Sequence, residues 1–247
     1  MARHATKATI DDVGHYTSER RHEMVKCYPE HERDARLRGE PALGSGLVYP
    51  VSDDMLACEA FALPAHFYRI NGLDFGWDHP FAAVSLAWDK DADVIYVTAI
   101  YRAREQTPVT HAAAIRPWGE WIPCAWPHDG LQHDKGSGRK LSALYAEQGL
   151  SMLAEHATHE EGGYGLEAGV IELLERMQTG RFKVFRHLDD WFAEKRLYHR
   201  ENGIIIKERD DILSATRVGV MMRRFAIVQP GKRDRGRRHS QPGAWMA

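Results

Sequence analysis

Short apolar runs separated by polar turns begin near Phe67 and mark the folded part of the chain. The first three are FYRINGLDFG (67–76), PFAAVSLAWD (80–89) and DVIYVTAIYRA (93–103). Their length and their β-branched and aromatic residues are typical of β-strands, and the polar turn DKDAD joins the last two. The pattern therefore predicts three antiparallel strands in a meander.

Beyond residue 107 helical and strand-like patterns alternate. THAAAIRPWGEW predicts a helix that Pro117 and Gly119 stop, and GLEAGVIELLERMQTG predicts a longer one with Gly180 as its C-cap. Further helices are predicted for SGRKLSALYAEQG (N-cap Ser137), LDDWFAEKRLYH and DDILSATRVGVMMRRF, and strands for IPCAWPHDG, LSMLAEHA, RFKVFRH and GIIIKE. A meander continued by parallel βα units predicts an α/β three-layer sandwich, a mixed sheet with helices on both faces.

The 247 residues are enough for one well-buried domain with extensions. We expect a polar N-terminal segment and linker over residues 1–65, with short surface helices before residue 45. The stretch GEPALGSGLVYPVSDD is predicted to be a linker or strand arm rather than a core element. The folded domain is predicted to span residues 66–226, followed by a basic, flexible tail over 227–247.

The longest apolar runs have the length of strands, and the N-terminus lacks the apolar stretch of a signal peptide. These features predict a cytoplasmic protein without a membrane partner. Cys27, Cys58 and Cys124 lie far apart without a C-x-x-C motif, so neither a disulfide framework nor a cysteine zinc site is indicated. We expect three reduced thiols.

The net charge of −2 hides an asymmetry. Residues 181–239 carry 16 Lys and Arg against 8 Asp and Glu, a local charge of +8 on an otherwise acidic chain. This distribution is expected of a protein that binds a polyanion and also gathers carboxylates around a metal. A solvated basic face with a loose tail explains the charge equally well.

Two aspartates follow predicted strands. Asp74 ends the first core strand and Asp129 ends the fourth. If these strands pair side by side, both carboxylates emerge at one end of the sheet, since neighbouring strands lie about 4.8 Å apart. Two bare carboxylates would repel each other there, and a divalent cation would relieve the repulsion.

Asp210 and Asp211 open the last predicted helix. On that helix Asp211 shares a face with Ser214, Ala215 and Val218, and these small residues would allow a close approach to the sheet. Three acids from two strands and one helix can hold two Mg²⁺ or Mn²⁺ ions about 3.5–4 Å apart, which suits phosphodiester cleavage. Turn and capping roles for the same aspartates remain open, because Asp is common at both positions.

Other motifs in the sequence give weaker evidence for a function. Asp74-Phe75-Gly76 matches a kinase motif, but no kinase lysine strand or H-R-D loop precedes it. GSGRKLS lacks the spacing of a phosphate loop, and DKDADV lacks the glycine and glutamate of a calcium loop. His156 and His159 have no second ligand pair for zinc, so we expect exposed histidines at a helix end.

Taken together, GLDFGWDHPFA, WPHDG and KERDDILSATRVGVMM resemble the metal-binding segments of the C-terminal nuclease domain of tailed-phage terminase large subunits, especially those of headful-packaging enterobacterial phages. RDARLRGEPALGSGLVYPV resembles the segment that links the packaging ATPase to the nuclease in that family. The resemblance covers roughly residues 30–226 and implies a ribonuclease H-like fold. No Walker A loop is present, so an excised domain or a split product is expected.

The resemblance implies that Asp74, Asp129 and Asp211 bind two Mg²⁺ or Mn²⁺ ions, with Asp210 as the alternative to Asp211. Some family members carry another acid where this chain has Ser214. For His79 and His128 a packing role is favoured over a role in catalysis.

The resemblance also implies a metal-dependent endonuclease that cuts concatemeric viral double-stranded DNA in the host cell during genome packaging. Its implied partners are DNA, the terminase small subunit and the portal protein, and the basic tail would bind either DNA or the portal. Two other interpretations stay open: a junction resolvase or transposase with a similar set of acids, and a non-catalytic docking module in which the aspartates are turn and cap residues.

Overall fold

The computed structural model describes residues 16–17, 19–21, 23, 46–134, 136 and 138–230. Residues 19–21 and 23 are helical. Most of the predicted N-terminal segment, Cys27, the predicted N-cap Ser137 and the tail from residue 231 lie outside the described residues. No described helix is both long and apolar enough to cross a membrane.

Seven strands form the main sheet in the order β1-β7-β4-β3-β2-β5-β6. They are β1 (Ala57–Cys58), β2 (Tyr68–Asp74), β3 (Phe81–Asp89), β4 (Val94–Ala103), β5 (Pro123–Ala125), β6 (Ser151–Met152) and β7 (Phe182–Phe185). β2, β3 and β4 are antiparallel neighbours, whereas β5 is parallel to β2 and β7 is parallel to β4. The predicted meander and the predicted mixed sheet are both confirmed.

The α-helices alternate with the later strands, as predicted. They are α1 (Asp53–Leu56), α2 (Pro108–Ile115), α3 (Leu141–Glu147), α4 (Leu166–Gln178), α5 (Asp189–Leu197) and α6 (Asp211–Met221). Short 3₁₀ helices cover Arg116–Trp118, His128–Leu131 and Arg223–Phe225. Gly119 ends the first of these at φ 140°, and Gly180 lies just beyond the C-cap of α4 at φ 75°. Both glycines stop their helices where the sequence predicts.

The core lies on both faces of the sheet. Alternate residues of β3 face opposite sides, so Ala82 and Val84 join a large cluster whereas Phe81 and Ala83 join a smaller one. The large cluster includes buried residues of α4, α5 and α6, and the smaller one includes buried residues of α2 and α3. This arrangement is the predicted three-layer α/β sandwich.

The segment GIIIKE does not enter the main sheet. Its two strand residues form β9 (Ile204–Ile205), which pairs only with β8 (Arg200–Glu201). Asn202 and Gly203 between them have φ values of 50° and 81°, which is the conformation of a tight two-residue hairpin turn. Because this turn folds the chain back at once, the strand pairs locally instead.

The prediction that residues 39–54 form a linker or strand arm outside the core is wrong over its described part. Val48, Tyr49 and Val51 are buried in the large cluster, and β1 adds a parallel strand beyond β7. The glycines and prolines of this segment indicated that it forms no helix or strand. An irregular segment can nevertheless bury its apolar side chains as well as a regular element does. The wider division at residues 65/66 and 226/227 stays a prediction.

A buried ion cluster fastens this segment to α5. Asp53 is 6% exposed, and its carboxylate accepts hydrogen bonds from Lys195 Nζ at 2.8 Å and from Arg196 Nε at 2.7 Å. Lys195 is 4% exposed and also donates to the Val51 carbonyl. Removal of the carboxylate would leave a buried ammonium without its anion, which is costly.

We therefore expect Asp53→Ala to lower the free energy of unfolding by about 3–5 kcal/mol. The matched control is Asp54→Ala, since the neighbouring Asp54 side chain is 57% exposed and its change should cost less than about 1 kcal/mol. Urea denaturation of both variants measures the difference. Equal destabilisation would mean that α1, and not the buried charge, is what Asp53 supports.

Two of the three predicted free thiols fall in the described residues. Cys58 is partly buried and Cys124 is buried, and both are unbonded to another sulfur. Cys124 Sγ accepts a hydrogen bond from Asn71 Nδ2 at 3.6 Å. These two predictions are confirmed.

Candidate active site

Asp74 lies at the carboxyl end of β2, in the middle of the sheet. The chain turns sharply after it at Gly76, where an added Cβ would lie 2.3 Å from the His79 carbonyl oxygen and 2.6 Å from that of Pro80. No side chain fits there, so the tight turn depends on glycine. The turn directs the chain away from the sheet and leaves the Asp74 carboxylate at its edge.

Helix α6 packs directly on β2, because two glycines allow the backbones to touch. A Cβ on Gly72 would lie 2.0 Å from the Ala215 carbonyl oxygen and 2.7 Å from the Gly219 nitrogen. A Cβ on Gly219 would lie 2.7 Å from Leu86 Cδ1. Small residues on one face of α6 were predicted to allow a close approach to the sheet. The observed contact places the start of α6 near the end of β2.

Three carboxylates are consequently crowded together. Burial, followed by the charges of Asp210 and Asp211, raises the pKa of Asp74 to about 7 against the lowering effects of Arg217 and a hydrogen bond from Ser214. Burial also raises the pKa of Asp210, with the Asp211 charge as the next cause. The pKa of Asp211 is likewise raised by burial, against the opposing charge of Arg102. This edge of the sheet therefore holds more negative charge than its surroundings neutralise.

Asp129 lies farther from its strand than predicted. β5 ends at Ala125, and Asp129 is in the 3₁₀ helix His128–Leu131, where it is exposed. Pro127 separates the two elements and cannot donate a ladder hydrogen bond, so the strand ends early. The turn packs against the residue that follows Asp74, since a Cβ on Gly130 would lie 2.7 Å from Phe75 Cε2.

The expected pairing of β2 with β5 is confirmed, with Gly72 opposite Ala125. The structure thus brings Asp74, Asp210 and Asp211 together and places Asp129 on a turn at the same edge. In the described part of the chain, no three His, Cys, Asp or Glu side chains are close enough to hold a metal ion as they stand. The role of the four aspartates as metal ligands stays a prediction.

A polar cleft of about 490 Å³ opens beside Asp211. Basic side chains line it, and they come from the end of β4, from the turn after β2 and from the loop before α6. Its lining comprises His79, Pro80, Arg102, Ala103, Arg104, Asp190, Ala193, Glu194, Leu197, Arg209 and Asp211. His79 is exposed in this cleft, and its charge lowers the pKa of Asp211. A phosphate chain that entered the cleft would meet cations next to the acids.

Glu194 connects the cleft to α6. It is 2% exposed, and its Oε2 accepts hydrogen bonds from the backbone N–H groups of Ile212 at 2.8 Å and Leu213 at 3.3 Å. Its Oε1 is paired with Arg102. The pKa of Glu194 is raised to about 8, mainly by burial and also by the charge of Asp211, against the lowering effect of Arg102. Glu194 thus caps the helix that carries Asp211 and holds Arg102 beside it.

Glu194 and the cleft arginines were not predicted from the sequence. One signal was available: Glu194 lies three residues after Trp191, on the stripe of α5 that also contains the buried Lys195. A charge on an apolar stripe indicates a buried partner, but the sequence could not identify that partner as the start of α6.

The histidines lie elsewhere than expected. His156 and His159 are partly buried in a loop and not at a helix end. His159 Nε2 is 3.0 Å from the Gly165 carbonyl oxygen. The His128 ring stacks on Tyr164 with centroids 5.1 Å apart, and it contacts His156 at 5.0 Å. His128 makes these ring contacts from an exposed position, so its packing role stays a prediction, and His79 is exposed in the acid cleft instead of packed.

Comparisons with known proteins agree with this fold. Residues 71–223 match the family described as the terminase RNaseH-like domain. The large terminase subunit of Salmonella phage P22 is 50% identical over 219 residues, which cover 88% of this chain and 44% of that protein. That of Enterobacteria phage LP7 is 50% identical over 216 residues, which cover 87% and 46%. The chain thus spans less than half the length of these curated relatives.

Solved structures give the same result. The nuclease domain of the P22 large terminase superposes with a TM-score of 0.70 at 49% identity, covering 74% of this chain and 95% of that one. The large terminase nuclease domain of bacteriophage SPP1, solved with bound Mn, has a TM-score of 0.51 at 20% identity and covers 68% and 97%. At that identity the second match shows the fold alone. The chain belongs to the terminase RNase H-like family of phage large terminase subunits.

Proposed function

We propose that this chain is the metal-dependent endonuclease domain that cuts concatemeric viral double-stranded DNA during genome packaging. The observation that carries the proposal is the crowding of Asp74, Asp210 and Asp211 at the edge of the sheet, beside a cleft lined with arginines. Membership of the terminase family favours this function over a junction resolvase or transposase. We likewise propose that this chain uses metal ions, that its substrate is DNA and that it acts together with packaging partners.

The chemistry of these residues suits a pair of divalent cations, and the described acids would have to move closer together to bind them. Their donors are carboxylate oxygens, which are the ligands preferred by Mg²⁺ and Mn²⁺. The raised pKa values indicate repulsion that a cation would relieve. Asp74, Asp129 and Asp211 would hold the ions, with Asp210 as the alternative to Asp211. Manganese in the SPP1 nuclease domain supports a divalent ion in this fold.

When bound, two such ions lower the pKa of water and stabilise the attacking and leaving oxygens of an in-line displacement at phosphorus. The protein supplies the position of the ligands. Gly72 and Gly219 set the distance between β2 and α6, and Glu194 fixes the first turn of α6. Arg102, Arg104 and Arg209 would bind the DNA backbone and orient the scissile phosphate.

The likeness to the P22 and LP7 subunits covers only part of those proteins. We therefore propose that the terminase small subunit and the portal protein are partners of the whole terminase. We assign neither partner a binding site on this chain. Since the chain has no Walker A loop, translocation of DNA is not proposed for it.

Cleavage of supercoiled plasmid with Mg²⁺, Mn²⁺ or EDTA tests the nuclease proposal. We expect nicking and linearisation with either metal, loss of both in EDTA, and loss in Asp74→Ala and Asp211→Ala. Asp129→Ala and Asp210→Ala determine whether these two residues are needed. The control is Asp91→Ala, an exposed aspartate in the β3–β4 turn, which should cleave like the wild type.

Calorimetric titration of the same proteins with Mn²⁺ separates an inhibited nuclease from a docking module. Metal binding that Asp74→Ala abolishes, in a chain that cuts nothing, would mean that the site exists but lacks a required part of the larger subunit. Absence of both binding and cleavage would contradict the proposal and favour the docking module.

Arg104→Ala tests the DNA path through the cleft. Arg104 is exposed, and its positive charge lowers the pKa of Asp211. We expect the variant to bind duplex DNA severalfold more weakly. The slope of the logarithm of the binding constant against the logarithm of the salt concentration should fall by about one, because one phosphate contact is lost. Fluorescence anisotropy at several salt concentrations, in an Asp74→Asn background that prevents cleavage, measures both. Arg116→Ala, an exposed arginine outside the cleft lining, is the control, and an equal loss in it would argue against a specific path.

A further inference from the structure

A second polar cavity lies at the opposite end of β2 from Asp74. Its volume is about 350 Å³, and it is lined by Tyr68, Trp88, Lys90, Asp93, Glu160, Arg176, Arg223, Arg224 and Ala226. β2 begins at Tyr68 and ends at Asp74, and seven strand residues span about 20 Å. The cavity is therefore separate from the acid cleft.

Arg224 is held in this cavity by neutral groups. Its Nη1 donates to the carbonyl oxygens of Thr158 at 2.9 Å and Met221 at 3.0 Å, and its Nη2 donates to Thr158 Oγ1 at 3.1 Å. Within the part of the chain that the structure describes, Arg224 makes no ion pair with a carboxylate. Its guanidinium is thus fixed in place while its charge stays uncompensated, which is the condition of a preformed anion site.

Lys90 is the second such cation. Its Nζ lies 5.1 Å from the centroid of the Tyr68 ring and 5.7 Å from that of Trp88. The ring faces attract the ammonium group, but they do not neutralise it. In the described residues, Lys90 likewise has no carboxylate partner. Its flexible stem would let it move from the rings to a phosphate.

Most other charges of the lining are already paired. Asp93 accepts from Arg176 at 3.1 Å, from Arg181 at 2.9 Å and from Trp88 Nε1 at 3.0 Å. Arg223 is paired with Glu172 at 2.5 Å. The remaining acid, Glu160, is exposed at the rim. Four cationic side chains against two acidic ones leave the lining positively charged.

The cavity also offers aromatic faces. Tyr68 and Trp88 are directly opposite each other on β2 and β3, with ring centroids 6.1 Å apart, and both are partly exposed. Cations that receive phosphates, together with aromatic rings that receive bases, are the combination found in sites for single-stranded nucleic acids. A duplex keeps its bases stacked and could not present one to these rings.

We propose that this cavity binds a nucleotide unit of single-stranded DNA. The phosphate lies between Lys90 and Arg224, and the base stacks on Trp88 or Tyr68 once the ammonium has moved to the phosphate. The site needs neither the aspartates nor a metal ion, so it is independent of the nuclease proposal. It would give the domain a hold on an unpaired strand remote from the cleavage site.

Binding of fluorescein-labelled dT20 in EDTA and low salt, followed by anisotropy, tests the proposal without any cleavage. We expect Lys90→Glu and Arg224→Gln each to weaken binding fivefold or more. Arg116→Glu and Arg116→Gln make the same charge changes at an exposed position outside this cavity, and they should change binding less than twofold. Equal effects at both places would mean that only the overall charge matters, which would overturn the proposal.

Competition identifies the ligand. Unlabelled dT20 and thymidine monophosphate should displace the probe from the wild type, and inorganic phosphate should compete at least tenfold less well than the nucleotide. Equal competition by phosphate would overturn the assignment of a nucleotide. Urea denaturation shows whether the variants fold; should Arg224→Gln be destabilised, Lys90→Glu decides alone, because Lys90 is exposed.

Discussion

Replacement of Asp74 by asparagine is expected to stabilise the metal-free protein while it abolishes cleavage. Burial and two neighbouring aspartates raise the pKa of Asp74 to about 7 from an ordinary 3.8. Ionisation therefore costs the folded state free energy at neutral pH, at roughly 1.4 kcal/mol per pKa unit. Asparagine keeps the size of the side chain and removes that cost. We expect a gain of about 1–3 kcal/mol at pH 8 in EDTA.

The pH dependence gives the sign of the effect. Below pH 3.8 Asp74 is protonated in both the folded and the unfolded state, so Asp74→Asn should change little. Between 3.8 and about 7 the folded state binds more protons than the unfolded state, and the wild type loses stability as pH rises. The advantage of asparagine should therefore grow through this window and level off above it.

Urea denaturation of the wild type and Asp74→Asn at several pH values, in EDTA and in Mn²⁺, measures these effects. Metal should stabilise the wild type by mass action, and the gain should be lost in the variant together with plasmid cleavage. Asp91→Asn, at an exposed position, is the control and should alter neither stability nor cleavage. A destabilised Asp74→Asn in EDTA would mean that the carboxylate supports the fold and is not strained by its neighbours.

Gly72→Ala is expected to be the most damaging single-methyl change in the described chain, because both obstacles to its Cβ are backbone atoms of α6. The added carbon would lie 2.0 Å from the Ala215 oxygen and 2.7 Å from the Gly219 nitrogen. Since backbone cannot rotate away, α6 would have to move off the sheet, at a cost of about 3 kcal/mol or more. Asp211 and Ser214 would move with the helix, away from Asp74.

Thermal and urea unfolding measure the cost, and manganese titration of whatever protein remains folded measures the damage to the site. Gly165→Ala is the matched control, because its Cβ would meet nothing within 4 Å and its φ is −58°. We expect that control to cost about 1 kcal/mol or less, which is the effect of replacing glycine by alanine at the N-cap of α4. An equally mild Gly72→Ala would mean that α6 can move away from β2 at little cost and that the fold does not depend on this backbone contact.

Local patterns were sufficient for most of the fold. Strands β2, β3 and β4 are long and rich in β-branched and aromatic residues, and α4 and α6 have apolar residues at helical spacing, so each was predicted close to its observed bounds. β1 has only two residues, too few for a periodic signal, and β6 keeps only two of the eight residues of LSMLAEHA that were predicted as a strand. Their pairing depends on β7 and β5, which lie far away in the sequence.

The candidate site divides in the same way. Asp74, Asp210 and Asp211 could be predicted because each lies at the end of a regular element, where the sequence marks a boundary. Four other residues could not be predicted, because the role of each depends on contacts with residues of another element. They are Glu194, Arg102, Lys90 and Arg224. The burial of Val48 and Tyr49 was missed for the same reason.

The sequence by itself determined the order of strands and helices, the small residues on one face of the last helix and the aspartates at the element ends, because these follow from periodicity and from residue size. Only the tertiary structure decided how close the carboxylates come, which charges remain unpaired and which irregular segments are buried. These properties arise where distant segments meet, and their free energies depend on distance and solvent exposure, which no local pattern encodes.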